Sequence, residues 1–301
     1  MANITTTQLN ESIPTIIAAK ALGYLKANTI LARLVARDWD DAVAQYGQTV
    51  QIPFTGSLSA NNKAENSAVT LQTPADSSVS VTLNKHKEVS FLVEDFARSL
   101  ARPDYLNQYI ADGVAVLAEQ IDSDLAALYS GFSQTVAALT ANGGLKESDF
   151  REARRLLNSA KAPLADRWAV LHEDAEKEYF GIEKFVNADY RQAVGGALAG
   201  AYGGRAFGFD VFLDQKISVA SAQCKNLFFH RNALVLVTRP LAQAPVGAGV
   251  VQKVLSEDGV GLRVTLSYNP DYLGMQVTID VLYGVAELRD AFGVVVSTTE
   301  A

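Results

Sequence analysis

Apolar residues at Leu106, Ile110, Val114, Leu117, Ile121, Leu125 and Leu128 step by 4, 4, 3, 4, 4 and 3 along the chain. That period lines one face of a helix, and it predicts a single helix from about Pro103 to Tyr129. At a helical rise of 1.5 Å per residue it would span about 40 Å, where about 11 residues is usual for a globular helix. A repeat near 3.5 also suits a coiled coil. Gly113 and Asp124 lie near the seam and no second segment repeats as well, so packing against a sheet is the expectation.

Before this helix the pattern changes twice. Ser12-Ile13-Pro14 has the form of a helix start, and Ile17, Ala21, Leu25, Leu31, Leu34 and Val35 continue an amphipathic arm, with a break near Ala27-Asn28. The arm ends at Arg37-Asp38-Trp39-Asp40-Asp41. Thr49 to Phe54 alternates like a strand, and Pro53 places it at an edge or an end. Thr55 to Ser80 is then rich in Ser, Asn, Thr, Ala and Gly and nearly lacks large apolar residues. Strand-like runs at Val69 to Gln72 and Val79 to Leu83 flank Pro74-Ala75-Asp76, which reads as a long polar hairpin. Such a hairpin buries too little to hold its own shape in water; it is mobile or held by another chain. Lys85-His86-Lys87-Glu88 reads as a turn leading into an apolar strand, Val89 to Val93.

After the long helix, Asn142-Gly143-Gly144 marks a turn, Asp149 to Asn158 a short helix, Trp168 to Leu171 a buried strand and Glu173 to Tyr179 a charged helix. Strands are expected at Phe209 to Leu213, Ala233 to Val237, Val260 to Tyr268, Gln276 to Leu282 and Val294 to Ser297. Strands and helices do not alternate regularly, so the fold class is α+β.

Composition narrows the function. The chain has 301 residues, is 49% hydrophobic and carries a formal net charge of -7. A protein that grips nucleic acid by its phosphates would show a basic excess or cluster. The densest basic group, Arg151, Arg154 and Arg155, shares its helix with Glu147, Asp149 and Glu152 and reads as a solvated face. The single cysteine, Cys224, permits no intrachain disulfide, which fits a reducing compartment, and reads as a lone small hydrophobe. The first twelve residues have neither a basic nor an apolar region of a secretory signal. The longest uncharged stretch, Leu125 to Leu145, is too polar to span a membrane.

Candidate chemistry is sparse. His86, His172 and His230 sit on different elements, and His172, ahead of Glu173-Asp174, reads as a surface histidine at a strand end rather than a metal ligand. Asp122 and Asp124, two apart on a helix, do not face each other. Asp38 and Asp41 could share a helix-end face, but a solvated junction is the plainer reading. No G-x-S-x-G elbow occurs. The glycine-rich run from Gly195 to Gly208 lacks the Lys-Ser or Lys-Thr of a P-loop, since Ala201-Tyr202 follow Gly200, and no buried strand precedes it. No catalytic residue, metal ligand or cofactor is assigned.

The order of elements resembles the major capsid proteins of tailed bacteriophages with the HK97-type fold, most like the phage P22-like coat protein branch. The resemblance covers nearly the whole chain. It rests on LVARDWDDAVAQYGQTVQIPF (34–54), VTLNKHKEVSFLVEDFARSLARPDY (81–105), LAEQIDSDLAALY (117–129), GFDVFLDQKIS (208–218) and FFHRNALVLVTRPL (228–241). It implies an N-terminal arm (1–48), an extended hairpin or E-loop with flanking strands (49–88) and a peripheral P domain with a spine helix (89–159). A central axial A domain (160–255) and returning P-domain strands (256–301) complete the layout. There is no room here for the inserted domain of the P22 branch.

The implied function is a major capsid (coat) protein that self-assembles, as hexamers and pentamers, into an icosahedral shell around double-stranded DNA that it does not read by sequence. The implied location is the virion, assembled in the host cytoplasm, with a portal and a separate scaffolding protein as partners and no membrane. Candidate intersubunit contacts are Trp39, Asp41, Lys63, Glu65, Lys85, Lys87, Gly196, Gly200, Tyr202 and Arg205. An encapsulin-like compartment around protein cargo is the alternative within the same fold. An α+β enzyme holding a phosphate ligand at the Gly195 loop is the alternative outside it.

Overall fold

The computed structural model describes residues 20–21, 29–39, 49–56, 58–95, 105–137, 143–182, 204–245, 249–257 and 260–299. Most of the expected arm, the strand–helix link at 96–104 and the glycine-rich run through Gly203 lie outside them.

A short helix, α1 (Leu31–Leu34), precedes β1 (Thr49–Phe54), β2 (Ser77–Thr82) and β3 (Lys85–Glu94). The long helix, α2 (Tyr105–Ala126), runs on into a 3-10 turn at Ala127–Gly131, close to the span its period predicts. Ile110, Val114, Leu117, Ile121 and Leu125 form its buried face. That face lies on a sheet. Gly113 has no side chain to hold off β3, and a Cβ there would stand 3.2 Å from Val89 Cγ1. The remaining elements are β4 (Thr135–Ala137), α3 (Glu147–Ser159), β5 (Arg167–Leu171), α4 (Glu173–Gly181), β6 (Arg205–Ala206), β7 (Phe209–Leu213), β8 (Val219–Ala220) and β9 (Gln223–His230). Then follow β10 (Leu234–Arg239), β11 (Val250–Glu257), β12 (Val260–Asn269), β13 (Gly274–Glu287) and β14 (Gly293–Thr299).

Two large sheets organise these strands. In the five-stranded sheet, the order β10-β13-β12-β11 is joined by β3, which pairs with β13 from Lys85↔Tyr283 to Glu94↔Gly274. The seven-stranded sheet runs β4-β14-β9-β5-β7-β6, with β8 on β9. Its core is aromatic: Phe228 meets Phe150 of α3 at 5.0 Å and Phe209 of β7 at 5.3 Å, both edge to face, and Phe150 meets Tyr179 of α4 at 5.8 Å. Edge-to-face pairs favour the ring quadrupoles and add to the burial of these rings.

The structure corrects two expectations, the 85–88 turn and the 69–72 strand. Lys85-His86-Lys87-Glu88 is the first part of β3, not a turn; the chain reverses at Leu83-Asn84, where Asn84 N–H donates to Thr82 O at 3.1 Å. Ten residues of pairing with β13 outweigh the polar composition of that run. Val69 to Gln72 forms no strand; the opposite arm meets it through the Gln72 side chain, which bonds Ser59, rather than through a backbone ladder. The strands at the C-terminal end divide: β12 and β13 belong to the five-stranded sheet, whereas β14 pairs with β9 and β4 in the other. Strands β10 and β11 hydrogen-bond into the five-stranded sheet.

Candidate functional site

The hairpin between β1 and β2 is exposed along most of its length. Its base is anchored. Ile52 and Val81 are fully buried and pack with Leu83, Ala36, Val235, Val237 and Leu288 in a small core separate from the main one. Beyond Phe54↔Ser77 the ladder stops. From Leu58 to Ser78 every residue is exposed, and Leu58, Val69 and Leu71 stand 69%, 67% and 89% open. Large aliphatics at such exposure lose the hydrophobic stabilisation that burial supplies, about 1.5–3 kcal/mol each.

What shapes the hairpin is polar and local. The Gln72 carboxamide accepts from Ser59 N–H at 2.8 Å and from its hydroxyl at 3.2 Å, and its Nε2 donates back to Ser59 O. One side chain thereby stands in for a rung of backbone ladder. Gly56 N–H donates to Asp76 Oδ1 at 3.1 Å. A Cβ at Gly56 would lie 2.6 Å from both N and O of Ala75, so the two arms can close only over glycine here. At the far end Lys63 Nζ donates to Ala64 O at 2.8 Å, and Asn66 takes a positive φ of 57.

The ten candidate contact residues are not gathered in one place. Lys63 and Glu65 stand exposed on the hairpin. Trp39 is half-buried against the small core at the hairpin base. Lys85 forms an ion pair with Asp124 at 3.0 Å, and Lys87 is half-buried further along β3. Arg205 faces Asp210 across the β6–β7 pair at 3.7 Å. Asp41, Gly196, Gly200 and Tyr202 lie outside the described residues.

The end of the glycine-rich run is visible. Ala206 pairs with Phe209 across a two-residue turn in which Phe207 and Gly208 have φ of 49 and 89. Two consecutive positive φ values mark a type I′ hairpin turn, which favours glycine. Arg154 Nη1 seals it by donating to Phe207 O at 2.9 Å. Arg154 therefore faces a turn of its own chain, while Arg151 and Arg155 pair with Glu147 and Glu152.

Two buried polar clusters lie elsewhere. On α2, Asp122 is 3% exposed, and burial, with the nearby Asp214, raises its carboxyl to about 7 despite backbone N–H donors that oppose the shift. Asp214 is also raised, chiefly by burial, and its Oδ2 is buried with no hydrogen-bond partner. The two line a cleft of about 270 Å³ with Ile30, Glu119 and Lys216, the last two joined by an ion pair at 2.9 Å. Asp124, two residues on, points away to Lys85 and to Tyr283 Oη, which donates at 2.6 Å.

His172 is 9% exposed, not the surface residue expected of a strand end. It caps α4, and its Nδ1 meets both Asp174 and the buried Cys224, which is more than an inert hydrophobe. Sequence spacing hides this cluster, since 52 residues separate His172 from Cys224. Among the described residues, no helix is long and apolar enough to cross a membrane.

No family model matches the chain, and no curated protein matches its sequence. Solved structures do match its fold. One from Mycobacterium phage Che8 aligns with a TM-score of 0.66 at 17% identity, covering 89% of this chain and 90% of that one. The capsid structure of the cyanophage P-SCSP1u aligns with a TM-score of 0.66 at 13% identity, covering 91% and 89%. The capsid of Ralstonia phage GP4 aligns at 0.62 and 9% identity, covering 88% and 87%. The chain shares the α+β, HK97-like fold of these proteins along nearly its full length.

Proposed function

We propose that this chain is a major capsid protein that self-assembles into an icosahedral shell enclosing double-stranded DNA. The observation that carries this reading is the fold shared with capsid structures over about nine-tenths of both chains. The hairpin supports it: a segment exposed from Leu58 to Ser78 among the described residues is suited to burial against other copies. The net charge of -7 suits a container that must not adhere tightly to the DNA within. The role is structural, and the shell is its place in the virion.

The finer assignments follow the same reading. Copies associate as hexamers and pentamers through repeated heterologous contacts. The module built on the seven-stranded sheet faces the capsomer axes and carries the glycine-rich run. The module built on α2 and the five-stranded sheet forms the periphery, while the arm and hairpin overlap neighbours. A separate scaffolding protein and a portal assist assembly in the host cytoplasm. Placement in the P22-like branch rests on the order of elements alone.

Negative-stain electron microscopy of the purified protein, with and without the scaffolding protein, tests the reading. Closed shells or capsomer rings are expected. Small discrete oligomers under both conditions would overturn it. Deletion of 57–78 should leave a folded, soluble chain that forms no normal shells; normal shells would remove the hairpin from the assembly mechanism.

A further inference from the structure

His172 is the residue between β5 and α4, Asp174 lies in the first turn of α4, and Cys224 is the second residue of β9. The strands β5 and β9 are antiparallel neighbours, so the fold brings the three side chains to one corner of the seven-stranded sheet. Cys224 Sγ lies 3.3 Å from His172 Nδ1 and 3.7 Å from Asp174 Oδ2, and Nδ1 lies 3.3 Å from the same Oδ2. A point equidistant from three atoms so spaced is about 2 Å from each. Zinc bonds to nitrogen, oxygen and sulfur run from about 2.0 to 2.3 Å.

We propose that His172, Asp174 and Cys224 form a binding site for a borderline-soft divalent cation of the zinc class. The donor set matches in kind as well as spacing, because imidazole and thiolate select such ions over magnesium or calcium. It also matches in charge. A thiolate and a carboxylate balance a dication, which removes the cost of burying an unpaired charge. Cys224 is fully buried, whereas the Asp174 side chain is 23% exposed, so the fourth coordination position opens to solvent on the aspartate side.

The corner is held in place without the ion. His172 N–H donates to Asn226 Oδ1 at 2.8 Å, and the buried Asn226 donates in turn to Thr298 Oγ1 at 2.9 Å and Val296 O at 3.1 Å. The pairing of Cys224 with Val219 and Thr298 sets the third donor. In the ion-free chain His172 Nδ1 accepts the Asp174 N–H at 3.3 Å. On binding, that lone pair passes to the cation, and the thiol releases its proton to solvent as the sulfur–metal bond forms. The ion then ties the β5–α4 junction to β9, which is itself paired with β14.

The test is titration of the reduced, chelator-treated full-length chain with Co2+, followed by Zn2+. A thiolate-to-cobalt charge-transfer band with tetrahedral d–d bands is expected, bleached by one equivalent of Zn2+. Cys224→Ser should abolish the charge-transfer band, and His172→Asn, which retains a capping side chain, should weaken binding by at least about tenfold. Zn2+ added to the unaltered chain should release about one proton per ion, a readout independent of how any variant folds. Absence of the thiolate band and of proton release would overturn the site and leave a hydrogen-bonded helix cap. A band that persists in Cys224→Ser would also overturn it.

Discussion

Asp122, in the middle of the long helix, accepts the backbone N–H of Ile30 at 2.7 Å, and its other oxygen accepts that of Ala32 at 3.2 Å. The carboxylate thus supplies the N-terminal cap that α1 lacks from its own Ile30. It joins the end of the arm to the long helix across 92 residues of sequence.

That contact carries a pH dependence. Burial lifts Asp122 from 3.8 to about 7, so the folded chain holds a proton that the unfolded chain releases near pH 4. The stabilisation from that proton is complete below about pH 4 and is lost as pH rises through about 7. Asp214, raised in the same direction, adds to the same slope. Between pH 5 and 7 the unassembled chain should lose about 2 kcal/mol at up to about 1.4 kcal/mol per pH unit. Urea unfolding at both pH values should show this loss, and Asp122→Asn should remove most of it. An unchanged slope in the variant would refute the assignment.

Gly56→Val should separate assembly from folding. Its added side chain would meet the Ala75 backbone at 2.6 Å, forcing apart two arms that lie outside both cores. Stability should change by less than about 0.5 kcal/mol, as for exposed sites. Shell yield should fall sharply, counted by electron microscopy. Full yield would show that the hairpin tolerates open arms.

Arg263 grips Asp280 across the β12–β13 pair, with Nε donating to Oδ1 at 3.0 Å and Nη2 to Oδ2, while His86 Nε2 approaches the same Oδ2 at 2.9 Å. The Asp280 side chain is only 3% exposed. Arg263→Leu should cost about 3–5 kcal/mol by leaving a buried carboxylate without its main partner. The double change Arg263→Leu with Asp280→Leu should recover most of that loss. Denaturant midpoints of the two variants decide the matter, and equal midpoints would contradict it.

Ser221 and Ala222 form the β8–β9 turn with φ of 55 and 54, the conformation that phenylalanine and glycine share at β6–β7. Neither residue favours it. Ala222→Gly should raise stability by about 1 kcal/mol, seen as a higher thermal midpoint. A lower midpoint would mean that the alanine methyl makes contacts worth more than the strain.

Much of the architecture was legible in the chain. The 4-4-3 steps of α2 named its buried face because a helix of that length must cover an apolar stripe. Strand β1 matched its expected span from Thr49 to Phe54, and β7 matched from Phe209 to Leu213. The hairpin was legible as a long, polar, exposed segment. The single rung supplied by Gln72 was not, because a side-chain amide can imitate backbone only once the partner arm is placed.

Periodicity is local, so the sequence by itself determined the helices, most strands, the α+β class and the polar hairpin. It also determined the absence of nucleotide-loop motifs. Only the tertiary structure decided that Lys85 to Glu88 is strand, since ten residues of pairing with β13 set that segment. It alone assigned the C-terminal strands to two sheets and brought Asp122 to Ile30 and His172 to Cys224. Those contacts join residues 92 and 52 positions apart. Their formation depends on hydrophobic burial positioning whole elements, which no short window of sequence records.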